Sequence, residues 1–306
     1  TQLILINTVS SPVSGTIRFT DSLGQPLPLR LNNSTASQFP YQIDPNGTFK
    51  ATLDNPASLA VGYALVSPDP SSPSPSGTAI FQFFHNNTIV TEAGVAATSS
   101  TTNARIFVDN INTYTGVALA NTYDQPASVR FLLLDRFGNL ISFASRTLPP
   151  RGHIAIFAHQ LFPDLPSTFS GLIEIDSPTP VAPITLKLTN NERLDQILTT
   201  LPVADLTNPP SATSLVFPQI ASGQGFSTRL ILINSSKSTS TPGRLLFLQS
   251  NGHPMTLPMA GSSASDFSYL IPPAAARQLQ PGNPPPATSL LPLHPYPNSP
   301  TPPILP

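Results

Sequence analysis

Glu174 and Asp176 stand two apart in the run LIEID, a spacing that puts two carboxylates on one face of a β-strand, where they could act as acid and base or hold a cation. Ile173 and Ile175 then face the core. Any half-solvated strand shows the same alternation, so the pair reads first as a solvated face. Five histidines, His85, His153, His159, His253 and His294, are scattered with no HExxH setting and no i, i+4 partner. Without cysteine the thiolate zinc sets are absent as well. Serine is abundant, but no GxSxG elbow presents one as a nucleophile. GQGFST (Gly223 to Thr228) lacks the third glycine of a dinucleotide loop, and no DxDxDG calcium loop occurs. The expectation is a protein that is not an enzyme, with no cofactor and no metal.

Two other chemistries remain open. Asn32, Asn33, Asn46, Asn86 and Asn234 each begin an N-x-S/T triplet and are candidate glycosylation sites, and SPDPSSPSPSG (Ser67 to Gly77) could carry O-linked sugar or form a plain loop. Sugar recognition stacks rings on aromatic side chains. With no Trp and six Tyr that platform is thin, and Tyr41 and Tyr269 are expected to pack within equivalent strands.

These groups sit in a chain of 306 residues, 39% hydrophobic with 17 Phe, long enough for two or three domains with buried cores. Charged residues make up 9% and the formal net charge is −1, against roughly 25% charged in an ordinary soluble domain. Lysine occurs only at Lys50, Lys187 and Lys237, so no basic patch can follow a phosphate backbone, and no nucleic-acid partner is expected. A surface so poor in charge does little to oppose self-association. No apolar run reaches the roughly 20 residues that span a bilayer. The chain opens at Thr1 without Met or a leader, which reads as a mature secreted product or a fragment of one.

The elements that would position any site come in three copies. LILIN ends at Asn7, VALAN at Asn121 and LILIN again at Asn234, 114 and 113 residues apart. After each come a polar turn, an apolar run (TIRFT, VRFLLLD, RLLFLQ) and a glycine at Gly24, Gly138 or Gly252. The first and last repeats share a further segment, with Phe39, Tyr41 and Ile43 matching Phe267, Tyr269 and Ile271; the middle repeat omits it. Second halves correspond in the first two repeats (VGYALVSP, GTAIFQFF and NNTIVTEAGVAA against SGLIEIDSP, APITLKL and LDQILTTLPVA), whereas the last repeat passes from ARQLQ straight into PGNPPP. Period-2 runs broken by Gly, Pro, Asn and Ser clusters predict antiparallel β-sandwiches. The one helix-compatible stretch, Ile154 to Leu165, is limited to a turn or two by Pro163.

FPQIASGQGFSTRLILIN (Phe217 to Asn234), DRFGNLI (Asp135 to Ile141) and TEAGVAA (Thr91 to Ala97) resemble the tandem β-sandwich repeats of uncharacterised secreted bacterial surface and filament proteins, over about residues 1 to 280. The resemblance implies an extracellular or cell-surface location and β architecture, and it brings no catalytic residues. In logic rather than sequence, the chain also resembles filament subunits that polymerise by donating a strand.

That logic rests on the two ends. ARIFVDN (Ala104 to Asn110) precedes VALAN and SLVFPQI (Ser214 to Ile220) precedes the second LILIN, but the first LILIN follows Thr1 directly. A sheet lacking a strand is a template for an incoming one. NPPPATSL (Asn283 to Leu290) nearly duplicates NPPSATSL (Asn208 to Leu215), and Ser289, Leu290, Leu291 and Leu293 after it form a candidate donor strand. Leu3, Leu5 and Ile6 are the expected acceptor groove. The whole reads as an all-β chain of tandem antiparallel β-sandwich modules, Ig-like or jelly-roll-like: 1–98 lacking its first strand, 99–207 complete, 208–280 shortened, then a Pro-rich C-terminal tail, 281–306. The expected function is a structural protomer of an extracellular filament, joined head to tail to identical subunits. The alternative is an adhesin or carbohydrate-binding module that binds glycans without polymerising.

Overall fold

The computed structural model describes residues 1–54, 59–86, 88–209, 214–259 and 261–282. The candidate donor residues Ser289, Leu290, Leu291 and Leu293 lie outside them. The described residues form antiparallel sheets almost throughout, with a single turn of helix. The alternating apolar runs dictate this, since a period of two commits one face of each strand to a core and the other to solvent.

In the first repeat, β1 (Gln2–Ile6) leads through a polar turn to β2 (Val13–Asp21). A short hairpin follows, β3 (Leu29–Leu31) and β4 (Ser34–Ala36), then β5 (Gln38–Ile43), β6 (Thr48–Thr52), β7 (Gly62–Pro68), β8 (Ser76–His85) and β9 (Thr88–Ala96). One sheet has the order β6-β1-β8-β9 and another β5-β2-β7. Leu3 and Leu5 of the first sheet and Val13, Ile17, Phe19, Phe39, Tyr41 and Ile43 of the second share a single apolar cluster. Leu3 and Leu5 therefore do not line a groove. Their strand is paired along both edges, to β6 and to β8, and their side chains are buried in the repeat's own core. Ile6, on the other face, is exposed.

The middle repeat adds a leading strand, β10 (Thr101–Asp109), before β11 (Thr113–Ala120), β12 (Ala127–Asp135), β13 (Leu140–Leu148) and β14 (His153–Phe157). After the helical turn α1 (Ala158–Leu161) comes β15 (Ser170–Asn190), then β16 (Gln196–Leu201) and β17 (Ala204–Asp205). The start of the expected helical stretch is thus strand. Residues 153–157 pair with β11, which leaves one turn of helix before Pro163. The 21-residue β15 serves two sheets in turn. Its first half lies between β12 and β10, its second between β11 and β16, and Pro180 and Pro183 fall at the changeover. The scheme is that of the first repeat, with β15 standing for β7 and β8 together.

In the last repeat β18 (Leu230–Ile233) pairs with β23 (Ala276–Leu279), and β19 (Thr241–Leu246) with β22 (Asp266–Ile271). β20 (Leu257–Met259) and β21 (Ser262–Ala264) form a small hairpin between them. These match β1–β6, β2–β5 and β3–β4. Among the described residues no counterpart of β7, β8 or β9 follows. SLVFPQI, predicted to be a strand, is accordingly irregular. Its counterpart β10 is held by the first half of β15, and an isolated strand without a ladder partner has no reason to form.

Candidate assembly interface

The asparagine ending each LILIN-type run is a buried clamp. Asn7 Nδ2 donates to the carbonyls of Ser11 (2.8 Å) and Asp44 (2.9 Å) while its Oδ1 accepts from the Val9 amide (3.0 Å). Asn121 does the same with Gln125, Pro149 and Tyr123, and Asn234 with Thr239, Pro272 and Ser236. Only a primary amide supplies both donors and an acceptor at one point, which explains the residue at all three sites. It also removes Asn234 as a glycan acceptor in this fold, because its nitrogen is buried and fully engaged. Asn32, Asn33, Asn46 and Asn86 sit at exposed turns with positive φ.

The clamped turn touches the preceding repeat in a contact that occurs twice. The His153 amide donates to the Ser22 carbonyl (3.1 Å), and the Ala276 amide donates to the Arg136 carbonyl (3.1 Å). Each acceptor lies two residues before the Gly of its turn, and each donor pairs with the residue preceding the clamp asparagine. Gly24 and Gly138, at φ +82° and +89°, lie so close to the Pro150 and Pro273 carbonyls that a Cβ would overlap them. Around the first contact, Tyr63 stacks on His153 (6.3 Å between centroids) and its hydroxyl reaches the Asn121 and Arg151 carbonyls (3.3 and 3.2 Å). Around the second, Phe107, Leu134 and Leu172 of the middle repeat join Ile231, Ile233, Ala274 and Ala276 of the last in one apolar cluster.

The carboxylate pair belongs to this contact. Glu174 is buried, with Arg105 Nη2 at 2.5 Å and Lys237 Nζ at 2.6 Å, and Arg105, fully buried, also donates to the Asn234 carbonyl. Burial alone would raise the Glu174 carboxyl, but the hydrogen bonds from Arg105 and Lys237 outweigh it and hold the pKa below the usual range. Asp176 is half exposed and takes Arg130 at 3.2 Å. Both carboxylates are occupied by cations. A second cluster repeats the device, with Asp109 accepting from Lys187 (3.0 Å) and Arg229 (3.1 Å). Two of the three lysines therefore sit where the middle and last repeats meet. Sequence reasoning missed these ties; the signal available was an Arg and an Asp inside the apolar run ARIFVDN.

Among the described residues the first repeat has no counterpart of β10, and the edge that β10 covers in the middle repeat belongs here to β7. In the middle repeat β10 covers the outer edge of β15, and Ile173 is wholly buried. No described residue pairs with the outer edge of β7, and Ala64, the counterpart of Ile173, is exposed. The edge left unpaired among the described residues is thus Gly62–Pro68, and Leu3 and Leu5 are not part of it.

Tyr41 and Tyr269 lie across from Gly15 and Gly243 with their rings or hydroxyls over those glycines, so they fill strand positions and are not presented as sugar platforms. His153 and His159 are lowered by burial, His153 to about 4. Among the described residues no group of three or more His, Cys, Asp or Glu converges as a metal site, and no helix is long and apolar enough to cross a membrane. A cleft of about 280 Å³ beside the first contact is lined by Arg18, Thr20, Ser37, Gln38 and Arg151 among others. Comparison with family models, curated proteins and solved structures gives no match.

Proposed function

We propose that the chain is a structural protomer of an extracellular filament or surface assembly, built from β-sandwich modules at 1–98, 99–207 and 208–280 and joined head to tail to identical subunits. The observation that carries this reading is the unpaired outer edge of β7, at the place where the middle repeat holds β10. An unpaired edge beside a partly uncovered core is a template for strand addition, and the Pro-rich tail carries Ser289, Leu290, Leu291 and Leu293 after a near copy of the linker that precedes SLVFPQI. In this reading the tail of one subunit takes the place of β10 in the next. Burying three or four apolar side chains contributes on the order of 1.5 to 3 kcal/mol each before ordering costs.

Removing residues 283–306 tests the reading. Loss of polymers in electron micrographs, with circular dichroism unchanged, is the expected result. Polymers of normal length from the shortened chain would rule out the tail as the donor.

A further inference from the structure

The contact between successive repeats has a donor side and an acceptor side, and among the described residues one of each is left uncovered. At the acceptor side, Leu134 is 5% exposed under the last repeat, and Leu132 packs at the edge of the same cluster. Their counterparts 114 residues on, Leu246 and Leu248, are 60% and 58% exposed. The turn beside them has the same form as its two predecessors: Gly252 is at φ +81°, its amide donates to the Gln249 carbonyl as that of Gly138 does to Asp135, and a Cβ there would meet nothing within 4 Å. Ser250 stands where Ser22 and Arg136 accept an amide from the following repeat, and it is exposed.

At the donor side, Ile231 and Ile233 of the last repeat pack into the apolar cluster beneath the middle one. Their counterparts in the first repeat are Ile4 and Ile6, and Ile6 is 42% exposed. Thr48 pairs with Ile6 as Ala276 pairs with Ile233, so its amide holds the position from which Ala276 donates. Asn46 carries the same positive φ as Arg151 and Ala274, so the turn that must approach the glycine is already in its docking conformation.

We propose that the Leu246, Leu248 and Ser250 face of one molecule docks onto the Ile4, Ile6 and Thr48 face of a second molecule of the same chain, reproducing between molecules the contact made twice within each. This deepens the head-to-tail reading above and rests on it, adding a docking surface separate from the inserted strand. The two faces match in chemistry: two leucines meet two isoleucines, and the Ser250 carbonyl meets the Thr48 amide. Because the two faces differ, the contact is heterologous, and repeating it builds an open array with no closure. Among its described residues the last repeat has no counterpart of the strand that carries Tyr63 and Leu172 in the other two contacts, and separate molecules lack the effective concentration of a shared chain. The intermolecular contact is therefore weaker than its intramolecular models.

The absence of cysteine from the chain gives a clean test in the full-length protein. Ile6→Cys and Leu248→Cys variants are prepared separately, then oxidised alone and as a mixture. The expected result is a disulfide-linked dimer from the mixture and little from either variant alone. In parallel, the double variant L246D/L248D, whose substitutions lie on an exposed face and leave the core intact, is expected to shift assembly toward monomer in light scattering. Wild-type assembly that persists unchanged in the double variant, or a mixture that cross-links no better than its components, overturns this docking face while leaving strand insertion standing. Wild-type protein that stays monomeric at every concentration overturns both.

Discussion

Replacing Asn121 by Ala would leave the Gln125 and Pro149 carbonyls and the Tyr123 amide without their partner. At about 1 kcal/mol per lost bond, more where the orphaned group stays buried, a loss of roughly 2–3 kcal/mol is expected in urea unfolding, with Asn121→Asp no better because a carboxylate cannot donate. Glu174→Ala is expected to be more severe. It strands the fully buried Arg105 without a counter-charge, a defect of about 3–5 kcal/mol, and Glu174→Gln should recover part of it. His153 gives a pH signature. Its ordinary value of 6.5 falls to about 4 in the folded chain because burial disfavours the charged ring, so the unfolded chain takes up the proton first. Its contribution is complete above pH 6.5 and declines as pH falls toward 4. Measured between pH 7 and 5, the unfolding midpoint should drop, and His153→Phe should flatten the slope in part; His159, lowered the same way by burial, adds to the slope in the same direction.

At the scale of elements, the three glycine turns allow the backbone requirement to be separated from the contact. Gly24, Gly138 and Gly252 share a positive φ, so Ala at any of them carries a left-handed strain of about 1–2 kcal/mol. At Gly24 and Gly138 the new Cβ also runs into the carbonyl of the next repeat, while at Gly252 it meets nothing. Thermal unfolding should therefore show Gly138→Ala clearly less stable than Gly252→Ala. If the two lose equal stability, the close approach of the repeats contributes nothing. The same comparison of elements explains why SLVFPQI is not a strand although its pattern resembles that of β10: the partner that holds β10 has no described counterpart in the last repeat.

Across the whole molecule, the last repeat depends on its neighbour. Its own buried cluster is small, with Leu230, Phe247, Met259 and Leu279 at its centre, and its paired strands form two-stranded sheets, which are marginal alone in water. The middle repeat supplies the rest through the shared apolar cluster and the two ion clusters at Glu174 and Asp109. Residues 208–282 expressed by themselves are expected to be unfolded by circular dichroism and amide dispersion, while 1–207 keeps its β signal. A folded 208–282 fragment would show that the contact is an accessory to the last repeat and not a condition of its folding.

Much of this was legible along the chain. Alternation in LILIN, VRFLLLD and RLLFLQ fixes strands because a period of two leaves no other way to bury one face, and the regular spacing of Asn7, Asn121 and Asn234 from Gly24, Gly138 and Gly252 announces one turn geometry used three times. Composition likewise determines that charge is scarce. Which strands are central, however, depends on pairing between residues far apart in sequence. Leu3 and Leu5 look the same whether β1 lies at an edge or between β6 and β8, and only the sheet order moves the open edge to β7. Similarly, Glu174 and Asp176 look like any solvated pair until the fold brings Arg105 across from β10 and Lys237 from the next repeat. Neighbours along the chain set the alternating runs, the repeats and the turn chemistry, while SLVFPQI, alternating yet irregular, shows that a strand also needs a ladder partner. Tertiary structure alone decided which edges, faces and charges are left over for a partner, because those depend on which strands are already satisfied.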